Sequence, residues 1–281
     1  MSENLNSYND PIIELASQGN PRFQNMLGES LLKGINGFEL DEDKALYWLN
    51  LSAENGNSDA QYNLGIYYDT RNEFSSAVKW YKKSADQDNV KAQFNLAECY
   101  REGEGTTKDL KEAFFWYNKA AELGDQKAQY FVGICYEEAI GVKKDLTNAF
   151  YWYEKSANQG DVETQIELGV RYRNGDGVSK DLKKSFLWFK QAAEEGSDEG
   201  QCSLAIYYQE GKGVEQNFEE AVYWFQKAAE QDYADAQCFL GFCYQDGQGV
   251  EPDLEMATYW FQKAAELGDE DAIEALASID E

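Results

Sequence analysis

Along this chain apolar and small residues recur at spacings of three and four, the pattern of a helix with one buried face. Ala128, Gln129, Val132, Gly133 and Tyr136 show it, and the order A-Q-x-x-L-G-x-x-Y returns throughout. A second helix follows, reading A-x-x-W-x-x-K-A-A-E, as in Ala113, Trp116, Lys119, Ala120, Ala121 and Glu122. Between the two a Gly-x-Gly-Val turn often stands: Gly175, Gly177 and Val178; Gly211, Gly213 and Val214; Gly247, Gly249 and Val250. Glycine at a helix end supplies the left-handed backbone that side chains resist. Asp109, Asp145, Asp181, Asn217 and Asp253 each precede a tryptophan by seven residues. An oxygen-bearing side chain there caps the first amides of the second helix. Gly56, Gly124, Gly160, Gly196 and Gly268 stand where those helices end.

The pattern is periodic. Trp48, Trp80, Trp116, Trp152, Trp188, Trp224 and Trp260 are spaced by 32 residues and then five times by 36. Gln24, Gln61, Gln93, Gln129, Gln165, Gln201 and Gln237 form a second column in the same register. A fixed period of this size is the mark of a repeat architecture, in which no unit buries its aromatic face alone. The tryptophans are therefore read as structural. The expected fold is all-α: a right-handed α-solenoid of about seven antiparallel helix-turn-helix repeats plus a capping helix. Repeats are placed near 22–58, 59–90, 91–126, 127–162, 163–198, 199–234 and 235–270, forming one domain over 21–281. The segment 271–281 is the capping helix, with a polar outer face, and 1–20 is an N-terminal segment expected to be partly flexible. The second unit is four residues short and lacks the glycine turn, which predicts a tighter connection near Asn72 and a local change of curvature.

The pattern A-x-x-x-L-G-x-x-Y-x-x-G-x-G-V-x-x-D-x-x-x-A-x-x-W-x-x-K-A-A-E-x-G resembles that of the Sel-one-like repeats (SLR), a 36-residue branch of the tetratricopeptide-like (TPR-like) α-solenoids. The resemblance covers residues 21 to 281. It departs in the short second unit, in Ala139 at the first turn glycine, and in Asp88 and Asp232 at terminal glycines. It implies an adaptor or scaffold and no reaction; fold alone does not fix function.

Candidate chemistry is sparse. The chain has no histidine, which removes the commonest general base and metal ligand. The Gly-x-Gly turns are not phosphate loops, because no strand precedes them and no Gly-Lys-Ser/Thr follows. Cys99, Cys135 and Cys243 share one first-helix position, Cys202 and Cys238 another, and no C-x-x-C pair occurs. They read as buried thiols. A disulfide-stapled subgroup of the family needs two cysteines in different helices of one repeat, and this chain has none so placed. The run Asp41, Glu42, Asp43 lacks the spacing of a calcium loop and reads as a solvated helix start. Neither metal nor cofactor is expected, and no enzyme.

Charge adds a preference. The net value is −27, which argues against nucleic acid. Residues 1–193 carry 30 acids and 22 bases, a net of −8; residues 194–281 carry 22 acids and three bases, a net of −19. A soluble, solvated surface explains part of this. A partner with a basic surface on the C-terminal repeats explains the asymmetry, since the fold does not demand it. Glu210, Glu215, Glu219, Glu251, Asp253 and Glu255 are the acids considered.

The expected function is a protein-interaction scaffold or adaptor that binds a partner protein or peptide in a groove lined by the first helices. The alternative is an immunity- or antitoxin-like inhibitor of a basic effector. Candidate groove residues, from positions flanking the Leu-Gly pair, are Tyr62, Phe94, Tyr130 and Ile166, in a column continued by Cys202 and Cys238. Four residues on are Ile66, Glu98, Ile134, Val170, Ile206 and Phe242; further round are Asp69, Arg101, Glu137 and Arg173. No apolar run of membrane-spanning length and no secretory signal is present, so the expected setting is cytoplasmic, as a monomer.

Overall fold

The computed structural model describes residues 11–279, and among these it contains sixteen helices and no strand. The chain divides into two compact units, Met1–Asp145 and Leu146–Glu281. The first holds α1 (Pro11–Ser17), α2 (Pro21–Lys33), α3 (Glu42–Glu54), α4 (Ser58–Asp69), α5 (Phe74–Ala85), α6 (Val90–Glu102), α7 (Leu110–Glu122) and α8 (Gln126–Glu138). The second holds α9 (Leu146–Ala157), α10 (Val162–Asn174), α11 (Leu182–Glu194), α12 (Asp198–Glu210), α13 (Phe218–Ala229), α14 (Ala234–Asp246), α15 (Leu254–Glu266) and α16 (Glu270–Ile279). Within each unit every helix packs on the next in sequence, as helix-turn-helix repeats require.

Four of the expected caps form: Asp109, Asp181, Asn217 and Asp253 accept from amides in the first turns of α7, α11, α13 and α15, and Asp41 does the same for α3. A second set, not anticipated, caps the first helices: Asn57, Asn89, Asp125, Ser197 and Asp269 accept from Ala60, Ala92, Ala128, Gly200 and Ala272. In the short second repeat α4 and α5 are joined by four residues, with Asn72 at φ 61. Glu73, at the α5 cap, makes no side-chain capping bond.

The two turn glycines have different duties. Gly211 and Gly247 end their helices in the left-handed region. Gly213 and Gly249 are also left-handed, and a Cβ there would overlap the carbonyls of Leu182 and Phe218, which begin the second helix of the preceding repeat. Ala139 occupies the left-handed position at φ 58 without being glycine. That conformation costs an L-residue roughly 1–2 kcal/mol.

The tryptophans sit between repeats. Trp80 packs on Leu49 and Ala53 of the preceding repeat and on Ala60 and Leu64 of its own. Trp116, Trp152, Trp188 and Trp260 are buried, whereas Trp48, Trp80 and Trp224 are only half-buried. The deepest column is the next residue: Leu49, Tyr81, Tyr117, Tyr153, Phe189, Phe225 and Phe261, each at most 2% exposed. Where the Leu-Gly pair keeps its glycine, the ring crowds it: a Cβ on Gly169 or Gly241 would meet Phe189 or Phe261 at 2.7 and 2.6 Å.

The buried glutamines close helix ends. Gln24, Gln61, Gln93, Gln129, Gln165, Gln201 and Gln237 each donate from Nε2 to the carbonyl eight residues earlier, at 2.9–3.3 Å. Each of those carbonyls belongs to the last turn of the preceding helix, where no intrahelical amide remains. Gln24 bonds Ala16 in this way, so α1 takes the position that a second helix holds toward the following first helix. Residues 11–17 of the segment expected to be partly flexible are thus helical, with Ala16 buried; residues 1–10 lie outside those described. At the other end α16 carries Ile273 in the glutamine register, and half of that side chain is exposed, so the cap's outer face is not wholly polar. Residues 280–281 of the expected cap lie outside those described.

Candidate partner-binding site

The first helices place the candidate residues because their opposite face, with Ala92, Gln93, Leu96 and Cys99 in α6, is buried. Positions three and four residues apart then share the remaining face. In the first unit Tyr62, Phe94 and Tyr130 are half-buried, as are Ile66, Glu98, Ile134, Asp69, Arg101 and Glu137. Three of them meet. Arg101 pairs with Glu98 at 2.6 Å, and Phe94 sits edge-on to Tyr117 and Phe131 at 5.6 and 5.7 Å. Phe131 stacks on Tyr117 at 5.2 Å, and the Arg101 guanidinium lies 6.0 Å from the Phe131 ring centre. The Tyr117 hydroxyl is held by the Glu98 carboxylate. Burial, then that carboxylate, pushes the Tyr117 hydroxyl far above the ordinary phenol range. Tyr81 repeats the motif one repeat earlier, donating to Asp69 at 3.1 Å.

Phe131 lies one position beyond the column chosen from sequence. Its partner Tyr117 follows Trp116 directly, and the deep column of which it is part was visible as an aromatic after most tryptophans.

The second unit behaves differently. Ile166 and Val170 pack on the core of Phe189, Ala193, Leu204 and Tyr207, and Ile206 packs on the neighbouring core. Phe242 sits 4.9 Å from Phe261, and the Arg173 guanidinium is 6.0 Å from Phe189. Cys202 and Cys238, each 4% exposed, do not reach the surface, so their column closes here. Burial pushes the Cys202 thiol up to about 12, and the nearby Asp235, Asp198 and Glu199 carboxylates add to it.

Those acids fall in a line. Glu163, Glu199, Asp235 and Asp271 are exposed, one per first helix, three residues ahead of Ile166, Cys202, Cys238 and Glu274. In the first unit the same register reads Asp59, Lys91 and Lys127. Of the acids considered from sequence, Asp253 is committed to capping α15 and Glu210 pairs with Lys212.

A cleft of about 380 Å³ opens between α2, α4 and the start of α6, lined by Asn25, Glu29, Asp59, Tyr62, Asn63, Asn89, Val90 and Lys91. Sequence reasoning missed its asparagines, which share no single repeat column. All five cysteines are buried and unpaired, and among the described residues no three acidic or thiol side chains converge on a metal position. No described helix is long and apolar enough to cross a membrane.

Comparison with known proteins follows the same register. The Sel1 repeat model matches residues 21–57, 58–89, 90–125, 126–161, 162–197, 198–233 and 234–269. A protective antigen of uropathogenic Escherichia coli with an SLR fold is 34% identical at a TM-score of 0.84, over 95% of this chain and 58% of that one. This chain therefore spans little more than half of that relative's length. A Sel1 repeat protein from Oxalobacter formigenes is 30% identical at a TM-score of 0.68, over 95% of this chain and 78% of that one. No curated protein matches. Seven matched units and two similar structures establish that the chain belongs to the Sel1 repeat family, whose members generally mediate protein–protein interaction.

Proposed function

We propose that this chain is a non-enzymatic scaffold or adaptor that takes a partner protein or peptide along the free faces of its first helices. The observation that carries this reading is the cluster of Phe94, Glu98, Arg101 and Phe131. Aromatic rings and an arginine at a half-open surface are the composition of an interaction hot spot. The chain also lacks a histidine base. Its five unpaired thiols suit a reducing compartment, in keeping with work in the cytoplasm as a monomer.

The acid line Glu163, Glu199, Asp235 and Asp271 supports a partner with a basic surface docking on the second unit, because complementary potential speeds encounter and excludes wrong partners. The test begins with capture of the partner from native cells and its identification by mass spectrometry. Phe94→Ala and Tyr130→Ala are expected to weaken its binding by about tenfold each, roughly 1.4 kcal/mol. Association is expected to slow between low salt and physiological salt, where the screening length falls to about 8 Å. Unchanged affinity in both variants rejects the site; a salt-independent association rate rejects the basic partner.

A further inference from the structure

The second repeat reverses the charge of the chain locally. Lys79, Lys82 and Lys83 stand three and four residues apart, so they share one face of α5, and α5 contains no acid. Like charges so placed repel and weaken the helix. No other repeat has more than one lysine at these three positions, so the fold does not demand the cluster. The helix dipole favours Lys82 and Lys83 in the last turn of α5 but gives nothing to Lys79.

The three lysines line a cleft of about 410 Å³ with Tyr68, Ser76 and Trp80, and no acid lines it. In five other repeats Tyr47, Phe115, Tyr151, Tyr223 and Tyr259 each set a ring edge-on to the tryptophan that follows, at 5.0–5.3 Å. Lys79 holds that place here, and Trp80 is half-buried. Lys83 Nζ lies 4.2 Å over the Trp80 ring, where the negative face of the indole attracts it. Lys82 is committed: it pairs with Asp86 and lies 4.9 Å from the Trp116 ring. Among the described residues neither Lys79 nor Lys83 has a carboxylate partner. We propose that this cleft binds an acidic segment of a partner protein that carries an aromatic residue, the ring packing on Trp80 and the flanking carboxylates pairing with Lys79 and Lys83.

The chemistry selects this occupant. The indole lacks the neighbouring ring that most repeats supply, and two ammonium groups beside it lack counter-charges. An aromatic residue between acids supplies both, and exposed aromatic and cationic groups together are what such a segment recognises. The second unit shows the complement within its own chain. There the cleft at Leu187 and Trp188 also holds two lysines, but Lys184 meets Glu154 at 4.0 Å and Lys190 meets Glu194 at 3.7 Å. The cleft on α5 has no such filling, and none of its residues belongs to the first-helix groove proposed above.

The test follows the seven indole N–H signals of the full chain by two-dimensional NMR, with Trp80 assigned through Trp80→Phe. The titrant is the capped pentapeptide Asp-Asp-Phe-Asp-Asp, at physiological salt, where the net charge of the chain is screened beyond about 8 Å. The Trp80 signal should move and saturate while the other six move little. Replacing the peptide's phenylalanine by alanine should weaken binding about tenfold, and replacing its aspartates by lysines should abolish it. Lys79→Tyr refills the place as other repeats do and should weaken binding about tenfold or more. Lys83→Gln, the residue found at that position as Gln191, should weaken it about two- to fivefold, the worth of an exposed ion pair. Lys119→Gln, at the same position one repeat on, should change nothing. Circular dichroism checks that each variant is folded. A Trp80 signal unmoved at millimolar peptide overturns the proposal, as does equal movement of all seven signals. Binding indifferent to both Lys79→Tyr and Lys83→Gln overturns it as well. Movement with adenosine monophosphate but not with the peptide overturns it in favour of a nucleotide.

Discussion

Replacing Glu195 by glutamine is expected to stabilise the second unit, and the glutamine column says by how much. Gln201 Oε1 accepts from Gln231 Nε2 at 2.9 Å, thirty residues on, and Gln61 Oε1 accepts from Gln87 at 2.8 Å. In the repeat of Gln165 the residue thirty on is Glu195, which supplies no donor. Its carboxylate accepts from Gln165 Nε2 at a long 3.4 Å, and the buried Oε1 of Gln165 has no partner. Glu195→Gln keeps the shape and supplies an N–H where Gln231 has one. A hydrogen bond to a buried acceptor contributes about 0.5–1.5 kcal/mol net. Removing an acid at the C-cap of α11 adds about 0.3 kcal/mol or more, because the helix dipole is negative there. The expected gain is about 1 kcal/mol, or about 2 °C in Tm for a chain of this size. Urea unfolding followed by far-ultraviolet circular dichroism should show a higher midpoint with unchanged slope. The reciprocal Gln231→Glu should lose a similar amount, and in a Gln165→Leu background the gain should shrink to the dipole share of about 0.3 kcal/mol. A neutral Glu195→Gln, or a gain undiminished by Gln165→Leu, would refute the role given to the column.

Three further outcomes follow from the packing and the buried groups. Phe225→Ala, at a fully buried ring, should cost about 3–5 kcal/mol, and Trp152→Ala a comparable amount, whereas the half-buried Trp224→Ala should cost visibly less in the same denaturation assay. Ala139→Gly should raise stability by about 1 kcal/mol, because glycine adopts the left-handed backbone without the Cβ clash; a loss would show that Ala139 is not strained. Stability should fall as pH rises above about 9. Burial holds the Cys99 and Cys202 thiols up to about 12 and those of Cys135 and Cys243 up to about 11, while the unfolded chain releases these protons near its ordinary 9. The unfolded state then binds fewer protons, so the contribution present below pH 9 is lost between about 9 and 12. Cys135→Ala should flatten that slope, and an unchanged slope would count against the thiol as its source.

The periodic columns made the fold legible from residues alone. Seven tryptophans and seven glutamines in one register require identical units, and a helix-period pattern inside each unit leaves few ways to bury it. The caps Asp109 and Asp181 were equally readable, because an N-cap depends on neighbours two or three residues away. Contacts between repeats were not readable in the same way. Nothing local distinguishes Trp224 from Phe225, yet one is half-buried and the other wholly so, because depth is set by what the adjoining helices present. The glutamine column was visible, but its purpose needed the carbonyl eight residues earlier to be brought within 3 Å or so by the turn. The candidate site divides along the same line. Phe94, Glu98 and Arg101 share a helix face by spacing alone. That Phe131 from the next repeat completes their cluster, and that Asn25 reaches Asn63 across 38 residues of chain, depends on how neighbouring helices pack. Side chains thirty or more residues apart meet only through that packing, and a helical period carries no information about it.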